Sequence, residues 1–394
     1  MDAFEIIKIT RPHMSSSRCY LDYNATTPLS DAARDALVSA LDVYGNPSSV
    51  HQEGRAAKAL LEKARRQVAH RLHTEPDHVV FTSGATEAAM TLLTPDYKMG
   101  RSDVHFSKVY IGATEHPCIG KGGRFAKDQQ VIIGVDENGV INLDELQRKL
   151  SKHNKSEGLP MVAIQAANGE TGVIQPVRKI ADIVKQAGGV LVVDIVQYIG
   201  KLPVDVASFG GDFFIVAAHK IGGPKGIGAF IATGSALMPQ ALILGGGQEK
   251  GFRSGTESIP LIAAFGAAME QKPTNQDLDH AKALQIRLEH GLHRLSNNLV
   301  IFGEKSPRLP NTTYFAVDGL KAETLQIGFD LAGFAVSAGS ACSSGKVKQS
   351  GVLSAMGCHV PDGAIRVSTG KHTSLKNIDD FLSAFEKIIR NSKN

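Results

Sequence analysis

Cysteine is scarce in this chain: four among 394 residues, at Cys19, Cys118, Cys342 and Cys358, with no Cys-x-x-Cys pair and no matching histidine spacing. That argues against structural zinc and against a disulfide framework, expects no metal, and leaves single reactive thiols in a reducing compartment. Long apolar runs are missing too. Stretches such as residues 190–193 and 213–218 fall far short of the ~20 residues needed to cross a bilayer, so no membrane association is expected. Basic tracts are absent: 43 Lys and Arg interleave with 39 Asp and Glu for a formal charge of +4, and nucleic acid is not called for. Residues 1–18 have scattered charges and no apolar core of signal-peptide length. A cytoplasmic location is expected, with Met14 as an alternative start to Met1.

What is present is the composition of a globular protein, 42% hydrophobic and 21% charged. A single core rarely grows beyond ~250 to 300 residues, so two domains are expected. The 40 glycines are the one excess, and they suit backbone that wraps phosphates and small ligands as well as turns between many short elements.

From about residue 77 to 231, short β-rich runs alternate with helical patterns, the mark of an α/β fold with a parallel sheet and helices on its faces. Strands are expected at 78–81, 109–112, 131–134, 161–166, 190–194, 213–217 and 227–231, and helices at 85–93, 143–153 and 177–187. After the glycine run 245–247 the character changes. An amphipathic helix near 278–295 introduces strands at 299–302, 312–316, 334–337 and 364–367, then a closing helix at 377–390. This reads as a smaller α+β domain, with the boundary near Pro273, where residues 272–276 have linker composition. The expected division is a large domain of residues 29–272 and a small one of residues 1–28 and 273–394.

The chemistry concentrates between Asp194 and Lys220. A buried strand ends in Asp194, with Gln197 three residues on. A second ends in Ala217-Ala218-His219-Lys220, followed by Ile221-Gly222-Gly223-Pro224-Lys225-Gly226. Ligands of open α/β sheets gather at the carboxyl ends of strands, so both charged groups reach one crevice. Pyridoxal phosphate needs this combination: a lysine amine for its aldehyde, and a carboxylate that keeps its pyridine nitrogen protonated. A lone Asp and Lys more often cap a turn and sit in solvent. Residues 83–86, between a strand and a helix, offer free N–H groups and the Thr86 hydroxyl to a phosphate, or simply form an N-cap. Cys342 lies in a run of small residues, 337–345, that favours an accessible loop over a packed core.

The string 219–226, with Asp194 and Gln197 upstream, resembles the cofactor site of cysteine desulfurases of the NifS/IscS kind, fold type I enzymes of the class V aminotransferase superfamily. The likeness extends over Tyr20 to Pro28, Gly45 to Ser49, Phe81 to Glu87, Thr114 to His116, Gly245 to Glu249, Arg253 to Thr256, Ser340 to Gly345 and Ile365 to Ser368. It implies a large domain with a mostly parallel seven-stranded sheet and a small domain carrying the cysteine loop. The resemblance makes Lys220 the cofactor lysine, His116 the ring-stacking histidine that helps move protons, and Cys342 the sulfur acceptor. Asp194, Gln197, Ala85, Thr86 and His219 would bind the cofactor, together with Thr256 from a neighbouring subunit. Arg366 and Asn168 would bind the substrate, L-cysteine. A homodimer with shared sites, and a sulfur-acceptor or iron–sulfur scaffold protein as partner, follow from the same likeness, with cluster assembly or tRNA thiolation as the process served.

Three positions depart from the family pattern. Gly169 stands where a second asparagine is usual, Ala217 where a serine is usual, and Met90 where a polar amide is usual. Each lost hydrogen bond to a charged group is worth ~1.5 to 3 kcal/mol. A selenocysteine lyase or other class V enzyme, and a low-activity paralogue acting as a scaffold, are the alternatives; the loop around Cys342 argues against the first.

Overall fold

The computed structural model describes residues 18–339 and 350–392. In Val190–Asp194, Phe213–Ala217 and Gly228–Ala232 every residue is buried, as expected where helices cover both faces of a sheet. Seven strands form the central sheet, in the order Val79–Thr82, Gly228–Ala232, Phe213–Ala217, Val190–Asp194, Leu159–Gln165, Ser102–Gly112 and Gln130–Ile133. Neighbours are parallel except for Gly228–Ala232, which is antiparallel to both of its partners. The other six strands therefore point the same way, and their carboxyl ends share one edge.

The expected α/β sheet is thus present, with ends shifted by a few residues. Two strands of this sheet were not anticipated: Asp96–Met99 pairs with the first residues of Ser102–Gly112, and Leu237–Pro239 pairs with Asp96–Met99, both antiparallel. In Asp96–Met99 Tyr97 is buried while its neighbours are exposed, so the strand has almost no apolar alternation to read. Helices Asp31–Leu41, Gln52–Leu72 and Ile259–Met269 were also unforeseen. They meet through small residues. Ala33, Ala264 and Ala268 are buried together, and a Cβ on Gly266 would stand 2.7 Å from Ala64 Cα. Close packing of this kind gains dispersion but writes only a faint periodic signal.

A second core is built from Leu21, Phe315, Phe329, Phe381 and Phe385, with the Phe329 and Phe381 rings stacked at 4.3 Å. It lies under an antiparallel sheet ordered Leu299–Ile301, Thr312–Val317, Ile365–Ser368 and Ser337–Ala338. The strand expected at 334–337 is divided: Phe334–Ala335 pairs with Cys19–Tyr20, and Ser337–Ala338 joins the sheet. Helix Asn275–Leu295 starts earlier than its apolar pattern because Thr274 and Asp277 form a capping box, Thr274 N donating to Asp277 Oδ2 at 2.8 Å. Helix Leu375–Asn391 begins the same way at Ser374.

One buried ion pair ties the glycine-rich segment to the sheet. Arg65 donates to both carboxylate oxygens of Glu249, at 2.8 and 2.9 Å, and to Val79 O at 2.6 Å, while Phe81 N donates to Glu249 Oε2 at 2.8 Å. Removing one partner leaves a buried charge uncompensated. Glu249→Ala is expected to cost ~3–5 kcal/mol in urea unfolding, and an Arg65→Met/Glu249→Leu pair should recover most of that loss.

Candidate active site

Five of the six co-directed strands deliver their following loops to one cavity of about 760 Å³. Val79–Thr82 leads to Ala85 and Thr86, Ser102–Gly112 to His116, Leu159–Gln165 to Asn168, Val190–Asp194 to Asp194 and Gln197, and Phe213–Ala217 to His219 and Lys220. Arg366 enters from the antiparallel sheet, on Ile365–Ser368. Nine of the residues singled out in the sequence therefore line a single space.

Asp194 and Lys220 set its electrostatics. Asp194 is 7% exposed, and among the described residues its carboxylate accepts one hydrogen bond, from Val196 N at 2.8 Å. Burial pushes the carboxyl from 3.8 up to about 6, against the opposing pull of Lys220. Lys220 Nζ donates to Asn24 O at 2.6 Å and Ala25 O at 3.0 Å. Burial and then the Arg366 guanidinium lower its amine from 10.5 to about 8, with Asp194 and Asp22 opposing. The lowered basicity makes the neutral, nucleophilic amine far more accessible near neutral pH than in an ordinary lysine, although the protonated form still predominates there.

The histidines are kept neutral. His116 is lowered by burial and by Lys220. Its Nδ1 accepts from Cys118 N at 3.2 Å, which assigns the imidazole proton to Nε2. His219 is held down to about 4 by burial, Lys220 and Lys225, with Nδ1 at 3.2 Å from Thr26 Oγ1. The N-terminus of helix Ala85–Leu92 carries no side-chain cap, so its first N–H groups are open to an anion.

The two side chains that the resemblance assigns to the substrate are largely committed within the protein. Asn168 Oδ1 accepts from Glu170 N and Thr171 N at 2.9 and 2.8 Å, and its Nδ2 donates to Thr114 O at 3.1 Å. Arg366 donates from Nη2 to Asp22 Oδ1 at 2.7 Å and to Ser337 Oγ at 3.1 Å, and from Nη1 to Gly169 O at 3.0 Å. Its Nε is buried without a partner among the described residues. At Gly169, where the resemblance expects a side chain, an added Cβ would lie 3.1 Å from Gln197 Nε2; the backbone carbonyl serves Arg366 and Asn24 instead. Ala217 lines the cavity with a methyl group, and Met90 does not line it.

Thr256 is exposed and lies outside this cavity. Cys342 falls outside the described residues. Burial raises the thiol of Cys19 to about 11 and that of Cys118 to about 12. Sequence reasoning gave no role to Asn24, whose carbonyl receives both Lys220 Nζ and Gln197 Nε2, nor to Glu115, whose carboxyl is pushed well up by burial and whose Oε2 has no partner among the described residues. Both stand inside recognised motifs, which was the available signal.

The family described as Aminotransferase class-V matches residues 19–381. A cysteine desulfurase IscS of Dictyoglomus turgidum is 33% identical over 381 residues, covering 94% of each chain. A cysteine desulfurase of Gluconacetobacter diazotrophicus is 35% identical over 390 residues, covering 94% of this chain and 93% of its own. Among solved structures, the NifS-like protein of Rickettsia africae superposes with a TM-score of 0.85 at 32% identity, over 95% of this chain and 99% of its own. The chain belongs to the class-V aminotransferase family.

Pyridoxal phosphate is the cofactor of that family, and the residues present fit it. Among the described residues no cationic side chain pairs with the buried, under-bonded Asp194 as a pyridinium would. Lys220 supplies an amine of lowered basicity, and the uncapped helix supplies a phosphate seat.

Without a cation beside it, Asp194 weakens the fold. Its carboxyl is raised, so the stabilising protonated form is complete below about pH 4 and is lost as pH rises through about 6. A rise from 3.8 to about 6 corresponds to roughly 3 kcal/mol. In cofactor-free protein, Asp194→Asn is expected to unfold at higher urea than wild type at pH 7.5. The advantage should vanish by pH 4.

Proposed function

We propose that this chain is a cysteine desulfurase, converting L-cysteine to L-alanine and passing the sulfur to a protein thiol. One observation carries the reading: the Lys220 amine and the buried Asp194 carboxylate line one cavity with His116, Gln197 and Arg366. When bound, pyridoxal phosphate supplies an electron sink for the carbanion formed at the substrate's Cα. Lys220 would hold the cofactor, and its amine, of lowered basicity, would carry the Cα proton. Asp194 keeps the pyridine nitrogen cationic. His116 would stack on the ring, and its neutral imidazole, with the proton on Nε2, can donate a hydrogen bond there and accept a proton in exchange only at its other nitrogen. The N–H groups at Ala85 and Thr86, with His219, hold the phosphate, and Gln197 donates to the phenolic oxygen.

Arg366 receives the substrate carboxylate, and Asn168 braces the adjoining turn. The Cys342 thiolate attacks the substrate's sulfur: the C–S bond breaks, an S–S bond forms, and the carbon takes a proton, leaving alanine and a persulfide. A sulfur-acceptor or iron–sulfur scaffold protein in the cytoplasm then collects the sulfur, for cluster assembly or tRNA thiolation. The division into residues 29–272 and residues 1–28 with 273–394 belongs to the same reading. The separate core that takes in Leu21 supports it.

The same reading includes a homodimer with Thr256 reaching the neighbouring subunit's phosphate. Its support is an apolar, exposed stretch: Val38, Leu41, Tyr44 and Val50, the last two 85% and 87% exposed. Such residues are costly to leave in water when grouped. Tyr44→Glu is expected to shift the protein toward monomer in sedimentation and to lower turnover with it.

Purified protein given L-cysteine and a reductant should release alanine and sulfide in equal amounts. Cys342→Ala is expected to abolish both, and His116→Ala to slow them by ~10²- to 10⁴-fold. Arg366→Ala should raise KM roughly 10- to 150-fold, the equivalent of ~1.5–3 kcal/mol. Undiminished sulfide release from Cys342→Ala would remove that thiol from the reaction.

A further inference from the structure

Lys201 is a lysine that the proposed chemistry leaves unused. It follows Gln197 by four residues in the turn after Val190–Asp194, where Ile199 N bonds Ile195 O at 2.9 Å and Lys201 N bonds Tyr198 O at 3.2 Å. That spacing brings its side chain back over Gln197. Lys201 Nζ donates to Gln197 O at 3.0 Å and also to the side-chain Oε1. Gly200 permits the turn: its φ is +80°, and a Cβ there would fall 2.7 Å from Cγ2 of Ile221, the residue after Lys220.

The amide of Gln197 is thereby held at both ends. Nε2 donates to Asn24 O at 3.0 Å, the carbonyl that also receives Lys220 Nζ at 2.6 Å. With Oε1 engaged by Lys201, the second N–H of Nε2 remains for the cavity that Gln197 lines, while Lys201 itself lines a separate cavity of about 550 Å³. An amide released from Lys201 can turn over and present an acceptor where a donor is needed.

No carboxylate pairs with Lys201 among the described residues. Burial lowers its amine well below the usual lysine range, and the charges of Lys220 and Arg366 add to the effect. A half-buried amine that feels the charge of two cations and has no paired carboxylate among the described residues is a cost to folding, and arrangements of that kind concentrate at functional sites.

We infer that Lys201 is a positioning residue, locking the Gln197 amide so that its N–H group meets the cofactor's phenolic oxygen. The inference rests on the reading of Gln197 given above. A donor on that oxygen disperses its negative charge and loosens its hold on the proton it shares with the linked Lys220 nitrogen. The pH at which the cofactor's visible band changes is therefore lowered.

The test is a pH titration of visible absorbance on the holoenzyme and on Gln197→Ala, Lys201→Met, Lys201→Arg and the Gln197→Ala/Lys201→Met double variant, with cofactor content measured after alkaline release. Both single neutral substitutions should raise the midpoint by about one to two pH units. Lys201→Arg should stay near wild type, and the double variant should move no further than Gln197→Ala. A wild-type midpoint in Lys201→Met beside a raised one in Gln197→Ala overturns the inference. So do additive shifts in the double variant, which mean that Lys201 acts by charge alone. An unmoved midpoint in Gln197→Ala defeats the underlying contact instead, and the inference falls with it. Should Lys201→Met retain no cofactor, Lys201→Gln keeps a donor without the charge: a midpoint near wild type supports positioning, and a raised one overturns it.

Discussion

A carboxylate buried at the end of a fully covered strand governs the architecture around the cavity. Asp194 sits where the sheet excludes water from both faces, and burial makes its charged form costlier than in water, raising the carboxyl from 3.8 to about 6. Lys220, at the end of the neighbouring strand, is destabilised in its own charged form. Neither group satisfies the other within the chain. A molecule carrying both a cationic ring and an aldehyde answers both deficits at once, and the open helix end at Ala85 accounts for its phosphate.

Around that pair the protein controls protons by keeping bases neutral. His116 and His219 both lose basicity to burial and to Lys220, so near neutral pH neither adds a further positive charge beside the amine. The tautomer of His116 is decided by a backbone N–H two residues on, a consequence of the chain turning directly into Pro117–Gly120 after the strand. Local backbone geometry thus selects which imidazole nitrogen is free to donate.

The departures at residues 169 and 217 also acquire physical content. A side chain at 169 would crowd Gln197 at 3.1 Å, and the bare glycine carbonyl instead braces both Arg366 and Asn24. Arg366 is meanwhile neutralised by Asp22 at 2.7 Å. On the proposed reading an incoming carboxylate would meet a guanidinium already oriented from two sides and would share it with Asp22 or use its remaining N–H groups. Orientation is gained at the expense of free charge.

Strands such as 190–194 and 213–217 were legible to the residue, because short continuous apolar runs, opened by glycine or aspartate and rich in β-branched and aromatic residues, read as buried strands. Asp96–Met99 and the Ala-rich helices escaped, since tertiary neighbours rather than their own periodicity hold them in place. For the site, sequence determined which chemical groups exist and their order along the chain: an acid after one strand, an amine after the next, an arginine far downstream. Only the tertiary structure decided that the Asn24 carbonyl joins Lys220 to Gln197, that Asp22 claims Arg366, and that Lys201 reaches back onto Gln197. All but the last of these contacts join residues more than a hundred positions apart and depend on burial and backbone direction, which spacing along a chain does not encode; the last needs in addition the turn that Gly200 permits.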